Sequence, residues 1–172
     1  MLKQVSNSFA ANWFYDQALS LPIFVSSFDR KNNRPSGMIC GWNTPCSGEP
    51  FRLAIALWKK GYTHKIVIDS KEFVVSIPNE SLRKEMDFFC KTHGDKVSKF
   101  ETTKIKTLKS KYIKTPLIAD ATANFECRVI NQIDCGDHFL FIGEVLDSYI
   151  NKGNKIMVNL GKKDSNRLYQ EI

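Results

Sequence analysis

The segment LWKKGYTHKI, residues 57–66, contains the residue types that bind an anion. A strand is predicted to end at Trp58, Lys59, Lys60 and Gly61 follow it, and Thr63 can cap a short helix. The N–H groups of the first helical turn have no partner within the helix, so they could converge on one anion with the Thr63 hydroxyl and a lysine. An ordinary capped helix with solvated lysines would have the same pattern, so this segment alone leaves both interpretations open.

A second candidate is the segment ICGWNTPCSGEP, residues 39–50, where two prolines and two glycines predict a loop after a strand. Trp42, Asn43 and Thr44 lie at its start. A loop of this kind can present main-chain amides and an aromatic edge to a flat ring. A buried tryptophan beside a polar turn would look the same in sequence.

The third candidate is His138, which follows the stretch DCGD between the alternating runs FECRVINQI and HFLFIGEV. Alternation on both sides of Gly136 predicts an antiparallel hairpin with a sharp turn. Histidine titrates near neutral pH, so its position at the mouth of this turn raises the question of a site residue. Judged without its surroundings, it is more typical of a solvated surface residue.

Several other chemistries lose support because their motifs are absent. The sequence has neither GxSxG nor HExxH, its three histidines lack metal-ligand spacing, and both GxxxxGK[ST] and GxGxxG are missing. The five cysteines form no CxxC pair, and their odd number argues against a disulfide framework. We therefore expect no metal site, and a reducing cytoplasm as the location.

The elements that must position these residues are mostly strands. Strands are predicted around residues 21–29, 36–42, 51–58, 72–78, 116–133, 138–150 and 154–161, and a helix at 79–94, while residues 62–70 are too short to assign by periodicity. Asn79 is predicted to cap the helix at 79–94, with Leu82, Met86 and Phe89 on its buried face and Gly94 at its end. Hairpin links dominate and no regular alternation of strand and helix occurs. This pattern favours an antiparallel β-barrel or sandwich with a few outer helices.

Length and composition fit one domain over residues 1–172, with 42% apolar and 25% charged residues. No stretch reaches the roughly 18 apolar residues of a membrane-spanning helix. The net charge is +7, and basic residues concentrate in KFETTKIKTLKSKYIK, residues 99–114. A solvated surface segment is the simpler interpretation. A basic β-barrel that binds nucleic acid without catalysis is the alternative, and it predicts salt-dependent binding and a colourless protein.

Four segments together resemble the flavin reductase-like family of the FMN-binding split-barrel superfamily, most closely its flavoredoxin branch. They are RPSGMICGWNTPCSGEP, KKGYTHKIVIDSKEFVVSIP, FFCKTHGDKVSKFE and FECRVINQIDCGDHFLFIGEV, in the family's order over about residues 20–147. The last is the most specific of the four. The resemblance implies a mainly β fold, an antiparallel Greek-key split barrel with a few outer helices.

The resemblance also implies roles for individual residues. Trp42, Asn43 and Thr44 match the segment that binds the flavin ring edge, and Thr63 stands where a hydroxyl holds the FMN phosphate. Lys99 matches a lysine that reaches the flavin. His138 matches a histidine near the flavin and its reductant, and it is the residue implied to act in catalysis.

This chain departs from the family pattern at three places. Ser36 stands where the family often has Asn after RP, at a position that contacts the ring. Gly61 replaces a common Arg, and Lys59 and Lys60 are the candidates to substitute as the cation. Ser98 and Asp95 alter the usual GRDVDKF.

The function implied is that of an FMN-binding oxidoreductase. It would be either a flavin reductase that uses NAD(P)H or a flavoredoxin-like electron carrier reduced by another protein, and the sequence does not separate the two. A family member that has lost its flavin is a third possibility. A homodimer is also implied, and the aromatic stretch NWFY, residues 12–15, is a candidate for packing across its interface.

Overall fold

Seven antiparallel strands form the main sheet in the part of the chain that the computed structural model describes, residues 4–10, 20–151, 153, 155–163 and 166–172. Their order across the sheet is β2-β1-β5-β8-β9-β4-β3. The strands are β1 (Ile23–Asp29), β2 (Arg34–Cys40), β3 (Asn43–Gly48), β4 (Phe51–Trp58), β5 (Glu72–Ile77), β8 (Ala123–Cys135) and β9 (His138–Ile150). The predicted mainly antiparallel β fold is confirmed, and this order is consistent with a split barrel.

Two small sheets, three helices and a short helical segment at residues 7–10 complete the described structure. Strands β6 (Thr107–Leu108) and β7 (Leu117–Ile118) pair with each other, and β10 (Met157–Lys163) pairs with β11 (Asn166–Glu171) in a C-terminal hairpin. The helices are α1 (Tyr62–Ser70), α2 (Arg83–Lys91) and α3 (Lys99–Thr103). A 3₁₀ turn (Glu80–Leu82) leads into α2. The helices lie outside the sheet, as the sequence predicted.

The β8–β9 hairpin is the longest element, with thirteen residues in each strand. Its turn is confirmed at Gly136, whose φ of 84° lies in the left-handed region that glycine adopts without cost. Glycine is also required at Gly143, because a Cβ there would collide with the ring of Phe73. Register shifts between Glu126 and Cys127 and between Val129 and Asn131 bend the hairpin around the barrel.

Strand β1 separates two apolar cores, and all seven of its residues are buried. Ile23 and Val25 face the barrel interior with Ile55 and Leu57 of β4, while Phe24 packs on the opposite side. The second core lies between the sheet and α2 and includes the residues predicted for the buried face of that helix, Leu82, Met86 and Phe89. Phe24 and Phe89 meet edge to face, with ring centroids 5.1 Å apart.

The structure corrects three local predictions. Residues 43–48, predicted as a loop, form β3, which pairs with β4 and leaves Gly41 and Trp42 between β2 and β3. Helix α2 ends at Lys91 rather than at Gly94. The Asn79 side chain accepts a hydrogen bond from Ser81 N at 3.0 Å, so it caps the 3₁₀ turn before α2. The prediction for NWFY, residues 12–15, lies outside the described residues.

Candidate functional site

A cleft of about 1250 Å³ opens between the N-terminal end of α1, the β2–β3 corner, α2 and the C-terminal hairpin. It contains five of the sequence-predicted site residues, listed here in chain order: Trp42, Asn43, Lys60, Thr63 and Lys99. A second depression of about 620 Å³ is lined by polar and charged residues and has no aromatic side chain in its wall. The larger cleft is therefore the candidate site.

One end of the cleft is the N-terminal turn of α1. Gly61 is the N-cap residue, with no side-chain cap, so the prediction that Thr63 caps this helix is wrong. Thr63 is instead the second helical residue, and it is buried while also lining the cleft. The first helical turn carries no acidic side chain. The free N–H groups there and the positive end of the helix dipole favour an anion.

The two lysines before α1 differ in their surroundings. The Nζ atom of Lys59 lies 2.7 Å from Asp134 on the β8–β9 hairpin and 4.6 Å from the centroid of the Phe139 ring. Lys60 is exposed and lines the cleft. Lys60 is therefore the lysine placed to attract an anion at the N-terminal end of α1.

Trp42 and Asn43, at the corner between β2 and β3, also line the cleft. Trp42 is 46% exposed, and its carbonyl accepts a hydrogen bond from Ala56 N at 2.9 Å. The Asn43 amide donates to the carbonyls of Leu21 at 2.8 Å and Cys40 at 3.1 Å, which fixes the β2–β3 corner. The Trp42 ring therefore projects from a fixed backbone and can contact a planar ligand.

Thr44 lies further along β3, outside the lining of the cleft. Its side chain is exposed, and its hydroxyl donates to the Pro45 carbonyl at 3.1 Å. The structure thus places Thr44 one residue beyond the two neighbours with which it was predicted to act.

His138 packs against Trp42 and is not part of the cleft lining. Its ring centroid is 4.6 Å from that of Trp42, with the planes 34° apart, and its Nδ1 atom is 2.7 Å from the Asp137 carboxylate. It is paired with Trp58 across β4 and β9. His138 therefore contacts Trp42, a residue of the cleft lining, without lining the cleft itself.

Lys99, the first residue of α3, is a buried cation in the floor of the cleft. It is 3% exposed, and its Nζ atom donates to the carbonyls of Gly37 at 3.0 Å and Phe89 at 2.8 Å. Burial lowers the pKa of Lys99 to about 8. An ammonium group has three N–H donors, so one is available for a ligand.

Ser36 is buried on β2 and is not part of the cleft lining. Gly94 packs directly against it, and a Cβ at position 94 would collide with both the Ser36 hydroxyl and the ring of Tyr62. Ser36 is thus separated from the cleft by the backbone of Gly94. Its small side chain allows this close approach between β2 and the loop after α2.

Sequence reasoning missed a whole wall of the cleft, which we call the hairpin wall and which consists of Arg83, Asp87, Cys90 and Lys91 of α2 with Arg167 and Tyr169 of β11. Helix α2 was predicted, but only its buried face was assigned. Strand β11 was not predicted, and its contact with α2 is between residues some 80 positions apart. The basic residues at 83, 91 and 167 were the only available signal.

The basic segment, residues 99–114, is folded onto the barrel through two carboxylates. Buried Glu126 accepts the backbone N–H groups of Lys111 and Tyr112, each at 2.8 Å, and Glu72 accepts those of Lys114 and Thr115. The Nζ atom of Lys114 lies 4.0 Å from the centroid of the Phe28 ring. Several lysines of this segment thus make contacts within the protein instead of forming a continuous basic strip.

The chain belongs to the family described as flavin reductase like domain, whose model matches residues 17–165. This match confirms the family that the sequence segments resemble. It covers both ends of the cleft and the part of the hairpin wall that belongs to α2, but it ends before Arg167 and Tyr169 of β11.

Two archaeal relatives and one solved structure illustrate the similarity. An uncharacterized protein of Archaeoglobus fulgidus is 36% identical over 113 residues, which are 66% of this chain and 64% of that protein. A ferric-chelate reductase (NAD(P)H) of the same organism is 30% identical over 145 residues, 84% of this chain and 83% of the relative. The flavoredoxin of Desulfovibrio vulgaris (Miyazaki F) has a TM-score of 0.78 at 21% identity, covering 90% of this chain and 87% of that one.

The match to the uncharacterized relative spans slightly less than two thirds of that protein's length, and the flavoredoxin likeness concerns the fold. In the described ranges, no helix has the length and apolarity needed to cross a membrane. Across the same residues, no three His, Cys, Asp or Glu side chains group together as metal ligands.

Proposed function

We propose that the protein is an oxidoreductase that binds FMN in the cleft. The observation that carries the proposal is the presence of a buried threonine in an uncapped, acid-free helix N-terminus and a buried lysine in the wall of one cleft. An elongated ligand with a phosphate at one end and an electron-accepting ring at the other matches both features. Membership of the flavin reductase-like family and the ferric-chelate reductase relative support the same conclusion.

In this arrangement Thr63, Lys60 and the first N–H groups of α1 hold the phosphate. The ring lies toward Trp42 and Lys99. A bound flavin supplies the redox chemistry, since it accepts a hydride from a nicotinamide and passes the electrons on. The protein therefore needs no acid or base of its own for that transfer.

In this proposal the residues of the protein stabilise the charge of the reduced flavin and orient its ring. The Lys99 ammonium, fixed by two carbonyl groups, offsets negative charge that develops on the ring when it is reduced. Trp42 positions the flavin ring, and His138 packs against the Trp42 ring. His138 is thus proposed as a positioning residue and not as a proton donor.

The electron donor is proposed to be NAD(P)H, the donor in the name of the ferric-chelate reductase (NAD(P)H) of Archaeoglobus fulgidus. A flavoredoxin-like carrier reduced by a protein partner would use the same cleft. Steady-state oxidation of NAD(P)H by the FMN-loaded protein separates the two. Absence of turnover, together with reduction by a protein donor, would rule out the reductase.

The binding proposal is tested by titrating the protein with FMN and following flavin fluorescence. Thr63→Ala should raise the FMN dissociation constant about tenfold, because a hydrogen bond to a charged group is lost. Thr102→Ala is the matched control, since Thr102 is exposed on α3 and outside the cleft. A protein that takes up no FMN, or equal affinities in the two variants, would contradict the proposed site.

We further propose one domain over residues 1–172, a cytoplasmic location and a homodimer. Trp58, Ile130 and Ile133 are 47%, 41% and 44% exposed toward the turn end of the β8–β9 hairpin, and such side chains favour contact with a second copy. Analytical ultracentrifugation would show the dimer, and a monomer at micromolar concentration would exclude it.

A further inference from the structure

The cleft is larger than one flavin mononucleotide requires. Small-molecule sites are usually about 300–1,000 Å³, and this cleft measures about 1250 Å³. The proposed FMN positions account for the end formed by α1, the β2–β3 corner and Lys99. The hairpin wall lies beyond them, so the cleft has room for a second ligand beside the flavin.

Several contacts join α2 to β11 in the hairpin wall. The Arg83 guanidinium lies 5.0 Å from the centroid of the Tyr169 ring, and its Nη1 atom is 3.4 Å from the Tyr169 carbonyl oxygen. The Cys90 sulfur lies 3.9 Å from the Tyr169 hydroxyl. Met157 of β10 is fully buried in the second core, which anchors the hairpin from below. The wall is therefore a formed surface.

The charge of this surface favours an anion. It carries three cations, Arg83, Lys91 and Arg167, and one carboxylate, Asp87. Asp87 lies 3.9 Å from the Nε atom of Arg83, so the single carboxylate faces a cation of its own helix. Arginine and lysine side chains are common partners of a phosphate group.

This arrangement distinguishes the two nicotinamide dinucleotides. A site for NADH presents a carboxylate to the ribose hydroxyl groups, whereas a site for NADPH presents arginine to the 2′-phosphate. Here the only carboxylate of the wall is already beside Arg83, and Arg167 and Lys91 add further positive charge. The hairpin wall therefore resembles a site for NADPH.

We propose that the hairpin wall binds the adenosine half of NADPH through its 2′-phosphate, with Lys91 and Arg167 as the residues that set the preference for NADPH over NADH. The proposal rests on the proposed function, because the nicotinamide half must reach a flavin held between Trp42 and Lys99. The proposed site itself can be measured without turnover.

The first experiment measures binding of adenosine 2′,5′-bisphosphate to FMN-saturated protein by isothermal titration calorimetry, with AMP as the reference ligand. Saturation with FMN blocks the phosphate site at α1. We expect the bisphosphate to bind at least tenfold more tightly than AMP. Lys91→Gln and Arg167→Gln should each weaken it about tenfold while leaving FMN affinity unchanged.

Lys84→Gln is the matched control, since Lys84 is exposed on the same helix but outside the cleft. Lys91 is exposed at the end of α2, so its replacement keeps the test valid if Arg167→Gln disturbs the hairpin. Steady-state kinetics adds a second readout. The KM for NADPH should rise about tenfold in both variants, and the KM for NADH should stay within twofold.

The outcomes separate the two proposals. If FMN-loaded protein binds the bisphosphate no more tightly than AMP, or if Lys91→Gln behaves like Lys84→Gln, the NADPH assignment is overturned and the FMN site stands. If the variants instead lose affinity for FAD and keep their KM for NADPH, the wall holds the adenylate of FAD and the assignment is again overturned. A protein that takes up no FMN overturns the proposed function and this assignment with it.

Discussion

The buried ammonium of Lys99 makes the stability of the FMN-free protein depend on pH. Burial lowers its pKa from 10.5 to about 8, so between these values the unfolded chain binds more protons than the folded protein. Stability therefore rises with pH across this window. The contribution is fully present above pH 10.5 and is lost as the pH falls through 8.

The size of the effect follows from the two pKa values. Their difference corresponds to roughly 3 kcal/mol over the whole range. Only part of it falls in an accessible interval, and between pH 7 and pH 9 the free energy of unfolding should rise by roughly 1 kcal/mol from this group. Lys99→Met removes the titrating group and therefore this part of the pH dependence.

The assay is guanidinium chloride unfolding of wild type and Lys99→Met at pH 7 and pH 9. The variant leaves the carbonyls of Gly37 and Phe89 without their donor, which lowers its stability at both pH values alike and cancels in the comparison. Lys99→Gln serves if the methionine variant does not fold. Lys96→Met, at an exposed lysine, is the control. Equal pH dependence in wild type and the Lys99 variants would refute the reasoning.

Three further outcomes are expected. Gly94→Ala should lower the free energy of unfolding by about 1–3 kcal/mol in a thermal or chemical melt, because the added Cβ has no space. Gly48→Ala is the control and should change the free energy of unfolding little, because nothing lies within 4 Å of a Cβ there. Similar values for the two variants would argue against close packing at Gly94. Glu126→Gln should cost about 1–3 kcal/mol and expose residues 106–115 to limited proteolysis, since its carboxylate accepts two backbone N–H groups; an unchanged cleavage pattern would contradict this anchoring role. His138→Ala should slow flavin reduction by NAD(P)H in stopped flow more than it weakens FMN binding, and an unchanged rate would remove His138 from the site.

Much of the fold could be predicted because its signals are local. The alternation on both sides of Gly136 defines the long hairpin, and the spacing of Leu82, Met86 and Phe89 defines the buried face of α2. Strand β3 was missed because its prolines and glycines are typical of a loop, although an edge strand tolerates them. Strand β11 was missed because its pairing with β10 has no strong apolar alternation.

The candidate site was predictable where its residues are close in sequence. Lys60 and Thr63 follow one strand and open one helix, and both line the cleft. The positions of Ser36 and the hairpin wall depend on contacts between distant segments, Ser36 with Gly94 and Arg83 with Tyr169. No local pattern specifies such contacts, because they form only when the sheet and helices have packed.

Gly61, which stands where the family resemblance implies an arginine, lies in a tight turn before α1. Gly61 N donates to the Trp58 carbonyl at 2.8 Å, and a Cβ on residue 61 would lie only 3.0 Å from that oxygen. This tight turn is held by the β8–β9 hairpin, since Lys59 N donates to the Asp137 carbonyl at 3.0 Å. Glycine therefore suits the turn, and the neighbouring Lys60 provides the cation.

The turn of the β8–β9 hairpin contacts both parts of the proposed flavin site. Asp137 accepts the Lys59 N–H through its carbonyl and contacts His138 through its carboxylate, while His138 packs on Trp42. The hairpin turn thus fixes the backbone before α1 and the tryptophan that faces the ring. A substitution of the Asp137 side chain leaves the carbonyl that accepts the Lys59 N–H in place and removes only the contact with His138. Asp137→Ala should therefore act as His138→Ala does and, in stopped flow, slow flavin reduction more than it weakens FMN binding.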